Sequence, residues 1–140
     1  MKHNARLMAI VYVDSVEEAR SFYVEELGFQ HLMGMLGKDG MLDYCSFTLG
    51  GAAVMFMRPA QAMPGTAAAR GKRPVEFYIE VDGVDEYCER LKRRKIPLAS
   101  PLKDQWWGDR TFTITDPFGY RLWFYETVNE ARPPQGAKLI

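Results

Sequence analysis

VDSVEEA at residues 13–19 returns as VDGVDEY at residues 81–87, and a chain of 140 residues that carries such a repeat is constrained to fold as two copies of one unit. The register follows by subtraction. Val13 and Val81, Asp14 and Asp82, and Val16 and Val84 are each offset by 68. SFTL at 46–49 matches TFTI at 111–114 with an offset of 65, and a turn longer by three residues restores 68 for Val54, Met55 and Phe56 against Leu122, Trp123 and Phe124. The duplication covers nearly the whole chain, and two copies of one motif can each cover the sheet face that the other leaves bare.

Within the first copy, residues 7–13 form a short β-branched apolar run and read as a strand. Ser15 followed three residues later by Glu18 is a capping box, and Val16, Ala19, Phe22, Tyr23 and Leu27 fall at helical spacing up to Gly28. Residues 29–36, 41–49 and 52–57 read as three more strands, joined by GKDG and by Gly50-Gly51. The second copy repeats the order. Residues 76–81 read as a strand, Asp82 as the cap of a helix carrying Val84, Tyr87, Cys88 and Leu91, and the chain is extended again from Pro97. A hairpin of 111–115 and 120–125 then turns at DPFG, where Asp116 leads, Pro117 presets φ and Gly119 ends the turn.

The expected fold class is α+β: two tandem βαβββ modules forming a curved mixed sheet with helices on its convex face. We read one domain, with module 1 at about 5–58, a linker at 59–74, module 2 at about 75–127 and a tail at 128–140. The linker is rich in Ala, Gly, Pro and basic residues, the composition of a flexible connection, and its length also suits a lid.

Composition narrows the partners. Lys plus Arg equals Asp plus Glu at 18 each, so no overall field attracts nucleic acid or an anionic membrane, and a small molecule is the better fit. The basic run Lys92-Arg93-Arg94-Lys95 ends a helix, where cations complement the dipole. Cys45 and Cys88 fall in a strand and a helix and read as reduced core residues, which points to a cytoplasmic protein. Neither a signal-peptide core nor an apolar run of membrane-spanning length is present.

Alternation along the strands separates a packed face from an open one. Phe77, Ile79, Val81, Val54, Phe56, Leu122 and Phe124 are assigned to the helices. Met8, Ile10, Tyr12, Met55, Met57, Glu76, Tyr78, Glu80, Arg121, Trp123 and Tyr125 fall on the opposite face, an apolar and aromatic surface with sparse polar groups, as ligand cavities have. The same composition also suits a second core or a dimer interface.

The duplicated βαβββ unit, together with FYVEELGF at 22–29, IEVDGVDEYCERLKRRKI at 79–96 and QWWGDRTFTITDPFGYRLWFYE at 105–126, resembles the vicinal oxygen chelate superfamily of glyoxalases, extradiol dioxygenases and bleomycin-resistance proteins. The resemblance implies that metal-dependent members place His or Glu ligands on the first and fourth strands of each copy. Those positions here are Met8, Met55, Glu76 and Trp123, of which Glu76 alone can ligate a hard divalent ion. His3 and His31 stand outside any ligand spacing and read as solvated or hydrogen-bonded. No metal site and no cofactor are expected; a divalent metal is disfavoured.

In site character the chain is most similar to the metal-free bleomycin-resistance branch. The resemblance implies a homodimer that binds a small-molecule ligand without chemistry, here a flat aromatic compound such as an antibiotic. The expected ligand-binding residues are Met8, Tyr12, Met55, Glu76, Tyr78, Trp107, Arg121, Trp123 and Tyr125, with Glu76 or Tyr125 available to a cationic group. Stacking on Tyr78, Trp107 or Trp123 contributes about 0.5–1.5 kcal/mol per ring beyond area burial. The alternative is a glyoxalase-like lyase, a dioxygenase or an isomerase, with Glu76 as general base or sole carboxylate ligand and Tyr78 or Arg121 steadying an oxyanion.

Overall fold

A computed structural model describes residues 7–59 and 75–139. His3 and residues 60–74 of the expected linker and lid lie outside the described residues. The chain divides into two compact units, Met1–Gly71 and Lys72–Ile140, and the division falls within the segment read as the linker.

Unit one runs β1 (Ala9–Tyr12), α1 (Val16–Arg20) with a π-helical continuation (Ser21–Glu26), β2 (Gln30–Leu36), β3 (Leu42–Leu49) and β4 (Ala52–Met57). Unit two runs β5 (Glu76–Glu80), α2 (Val84–Arg93), β6 (Ser100–Asp104), β7 (Asp109–Thr115) and β8 (Arg121–Thr127). Each unit builds its own four-stranded mixed sheet, ordered β1-β4-β3-β2 and β5-β8-β7-β6, so the βαβββ duplication is real.

The offset of 68 holds residue by residue along the parallel strand pair of each unit. β1 pairs with β4 in parallel with Ile10 opposite Met55, and β5 pairs with β8 in parallel with Tyr78 opposite Trp123. Val13 N–H donates to the Met57 carbonyl at 2.9 Å, and its counterpart Val81 N–H donates to the Tyr125 carbonyl at 3.0 Å. One face of each sheet packs on its own helix. Val11, Cys45, Phe47, Val54 and Phe56 are buried with Val16, Ala19, Phe22, Tyr23 and Leu27; Ile79, Phe112, Ile114, Leu122 and Phe124 are buried with Val84, Tyr87, Cys88 and Leu91.

Two helix details depart from the sequence reading. After Arg20 the first helix widens: Leu27 N–H reaches back five residues to the Phe22 carbonyl at 2.9 Å, and this π turn lets Phe22, Tyr23 and Leu27 all be buried. Ser15 caps α1 as expected, its hydroxyl accepting from Glu18 N–H at 3.1 Å. Asp82 does not cap α2. The cap position is Gly83, at φ 71°, and the carboxylate of Glu126 on β8 accepts from Gly83 N–H at 3.1 Å and Val84 N–H at 3.3 Å. Glycine has no side chain to do what Ser15 does, so a carboxylate from across the unit satisfies the free amides and complements the helix dipole.

The hairpin turn forms at DPFG. Gly119 N–H closes it on the Asp116 carbonyl at 3.1 Å, while the buried Asp116 carboxylate accepts from Phe118 and Tyr120 N–H at 2.9 and 2.8 Å. Cys45 and Cys88 are free and buried. No helix among the described residues is long and apolar enough to cross a membrane.

Candidate functional site

The open face of the second sheet gathers the aromatic residues. β8 contributes Trp123 and Tyr125, which alternate with the buried Leu122 and Phe124, and β5 contributes Tyr78 directly beside Trp123. Trp107 comes from the 105–108 turn before β7, where Gly108 holds a φ of 100° that a side chain would resist. The Tyr78 and Tyr125 rings stack at 4.3 Å, Tyr78 and Trp123 lie 5.9 Å apart, and Trp107 and Trp123 lie 6.4 Å apart. Trp106 meets Trp107 edge-on at 5.5 Å.

Carboxylates fix the rings. Glu76 Oε1 accepts from the Trp123 indole N–H at 3.0 Å, and the Glu80 charge lies near the Tyr125 phenol. Asp109, at the start of β7, accepts from the Tyr78 hydroxyl at 2.6 Å and from the Thr127 hydroxyl at 2.7 Å. The Trp107 N–H in turn donates to the Tyr78 oxygen at 2.8 Å. A ring whose polar end is held by a charge-assisted hydrogen bond keeps its orientation, so the rings of this face are fixed in place. The Tyr78 ring is 46% exposed, but its hydroxyl end sits against Asp109 and Trp107; burial of that end, then the hydrogen bond to Asp109, push its pKa up to about 12. The Tyr125 phenol is also raised, by burial first and then by the nearby Glu80 and Asp109 charges.

Arg121 opens β8 on the same face, opposite Glu76 on β5 and Thr115 on β7. Its Nε is shielded from solvent and finds no acceptor among the described residues. Polar pairs continue the same face toward β6: Gln105 Nε2 donates to the Thr111 hydroxyl at 3.0 Å, and the Ser100 and Thr113 hydroxyls meet at 2.6 Å.

Of the residues expected in the site, Glu76, Tyr78, Trp107, Trp123 and Tyr125 are thus linked in one network, and Arg121 shares their face. Met8, Tyr12 and Met55 belong to the first unit, where Ile10 and Tyr12 align with Met55 and Met57 on the face opposite the buried Val11 and Phe56. Asp109 is the residue that sequence reasoning missed. It follows WWG at a strand start, and counting by twos along β7 would have placed it on the face of Thr111 and Tyr125. The pairing of His31 with Cys45 was missed as well: His31 Nδ1 lies 3.2 Å from the Cys45 sulfur, whose pKa is raised by burial.

The residues at the positions read as chelate sites offer little to a hard divalent metal. Met8, Met55 and Trp123 offer no hard donor, Glu76 already receives an indole N–H, and among the described residues no three His, Cys, Asp or Glu side chains come together.

The duplicated βαβββ sheet defines the class of fold. Residues 5–124 match the Glyoxalase/Bleomycin resistance protein/Dioxygenase superfamily, and the chain belongs to it. An uncharacterized protein of Mycobacterium tuberculosis is 30% identical over 122 residues, covering 84% of this chain and 72% of that protein. The bleomycin resistance protein of Geobacillus stearothermophilus is 38% identical over 66 residues, 46% of this chain and 43% of that protein. The crystal structure of TioX from Micromonospora sp. ML1 matches in fold with a TM-score of 0.71 at 21% identity, covering 89% of this chain and all of that one.

Proposed function

We propose that the protein is a metal-independent binder that sequesters a flat aromatic small molecule, of the kind many antibiotics are, on the open face of its second sheet. The observation that carries this is the tethering of three half-open rings, Tyr78, Trp107 and Trp123, by Glu76 and Asp109, with Tyr125 stacked on Tyr78. Fixed rings stack on a flat ligand without losing rotamer freedom at the moment of binding. Glu76 and Asp109 are each engaged in holding a ring, which favours binding over proton abstraction by Glu76. Partial similarity to a bleomycin resistance protein supports the same reading.

A homodimer is part of the proposal. Leu32, Met33, Met35 and Leu36 are exposed on the edge strand β2, and an apolar edge of this kind favours association. Two free, buried cysteines accord with a reducing cytoplasm.

The test is a tryptophan-fluorescence titration with acridone, a flat tricyclic probe, in chelator-treated protein. Quenching that saturates with chelator present, and that weakens at least about tenfold in Trp123→Ala, is expected, since a lost stacking partner and its buried area together exceed 1.4 kcal/mol. Binding that requires added zinc, nickel, manganese or iron(II), or that ignores the substitution, refutes the proposal.

A further inference from the structure

We infer that the ligand is a neutral aromatic carbonyl compound, an aromatic ketone, lactam or quinone, whose oxygen accepts a hydrogen bond from Arg121 Nε. The inference rests on the aromatic face being the binding site and adds the chemistry of what it selects. Its basis is Arg121 Nε, a donor on this face that is shielded from solvent and, among the described residues, has no acceptor. A charged donor in that condition is destabilising unless something supplies an acceptor. Glu76, the cross-strand neighbour of Arg121, is the obvious internal candidate, yet its Oε1 is turned to the indole of Trp123. The ligand is left to complete the pair.

Charge decides what kind of acceptor. Among the described residues the face carries three carboxylates, Glu76, Glu80 and Asp109, against the guanidinium of Arg121 and the ammonium of Lys103 on β6. An anionic ligand meets Arg121 but also this net negative field, which repels it. A cationic ligand is drawn to the carboxylates but brings no acceptor and adds a like charge beside Arg121. A neutral carbonyl avoids both penalties and still accepts from a charged donor, the stronger kind of hydrogen bond. Its electron-withdrawing oxygen also depletes the attached ring, which suits stacking on the electron-rich faces of Tyr78, Tyr125 and Trp123. The cationic group considered from the sequence, with Glu76 as its partner, is therefore set aside.

Three tricyclic probes of nearly equal size separate the cases: acridone, aminoacridinium and anthracene carboxylate, titrated into the wild-type protein at neutral pH. Acridone should bind tightest. Arg121→Met, which keeps the length of the side chain and removes the donor, should weaken acridone at least about tenfold while leaving aminoacridinium unchanged or tighter. A wild-type preference for either charged probe overturns the inference without any variant, as does acridone affinity that survives Arg121→Met in protein with an unaltered circular dichroism spectrum. Trp123→Ala run beside it keeps the two ideas apart. Loss of all binding there together with indifference to Arg121→Met preserves the aromatic site and removes only the carbonyl; indifference of every probe to Trp123→Ala, or no binding at all, removes both.

Discussion

Tyr78→Phe deletes one hydroxyl and with it the junction of the aromatic network. Two hydrogen bonds go, the 2.6 Å bond to Asp109 and the 2.8 Å bond received from Trp107. The first dominates, because Asp109 is only 8% exposed and water cannot freely take the place of the lost donor. Hydrogen bonds to charged groups contribute about 1.5–3 kcal/mol net. Thr127 still donates to the other Asp109 oxygen at 2.7 Å, so the carboxylate is not stranded and the lower end applies, about 1.5 kcal/mol. The Trp107 N–H is open to solvent and adds little. At roughly 2–4 °C per kcal/mol for a chain near this size, calorimetry should find Tm lowered by about 3–6 °C. The dependence on pH follows from the direction of the shift. The folded-state pKa of Tyr78 is raised from 10.0 to about 12, so its contribution is complete below about pH 10 and fades as pH rises through 12. The stability gap between wild type and Tyr78→Phe should therefore be flat from about pH 7 to 9 and narrow above about pH 10. A variant within about 1 °C of wild type at pH 7, or a gap that widens with alkali, would refute the tether between Tyr78 and Asp109.

Two further substitutions probe how the scaffold presents the site. Glu126→Ala removes the acceptor of both leading amides of α2 and should cost about 1 kcal/mol in chemical denaturation, with faster hydrogen exchange at Gly83 and Val84 than in wild type. Gly108→Ala drives a β-carbon into the Asn129 carbonyl oxygen at a φ of 100°, so it should cost more than about 2 kcal/mol and release residues 128–132, read as quicker proteolysis there.

What the sequence makes legible is whatever has a short period. The repeat fixes the offset, alternation sorts Leu122 and Phe124 from Trp123 and Tyr125, and the order Asp116, Pro117, Gly119 marks its turn, because each signal is local. The parts that escaped are made by residues distant in sequence. Asp109 meets Tyr78 across 31 residues, Glu126 reaches Gly83 across 43, and His31 meets Cys45 across paired strands whose register slips after His31. The π turn escaped for a different reason: apolar residues at 22, 23 and 27 satisfy an α-helical and a π-helical face equally well.

The two copies also show which constraints the fold enforces and which it releases. On the packed side volume is conserved while position is not. Tyr23 in unit one corresponds by offset to Leu91, and Ala19 to Tyr87, so the large ring has moved by one helical turn between copies. It finds the same partners: Tyr23 packs on Phe47 and Phe56 with centroids at 5.9 and 4.7 Å, and Tyr87 on their counterparts Phe112 and Phe124 at 6.1 and 4.9 Å. A core tolerates such an exchange because density, not identity, is what it requires. On the open side no such conservation holds. Ile10 and Met55 in one copy stand where Tyr78 and Trp123 stand in the other, at the same paired register. Residues there are released from packing, and the second copy carries a hydrogen-bonded cluster of rings where the first sets Tyr12 among aliphatic and thioether groups. Function in this chain is accordingly to be sought where the copies disagree about chemistry, and Glu76, Tyr78, Asp109, Arg121 and Trp123 are where they do.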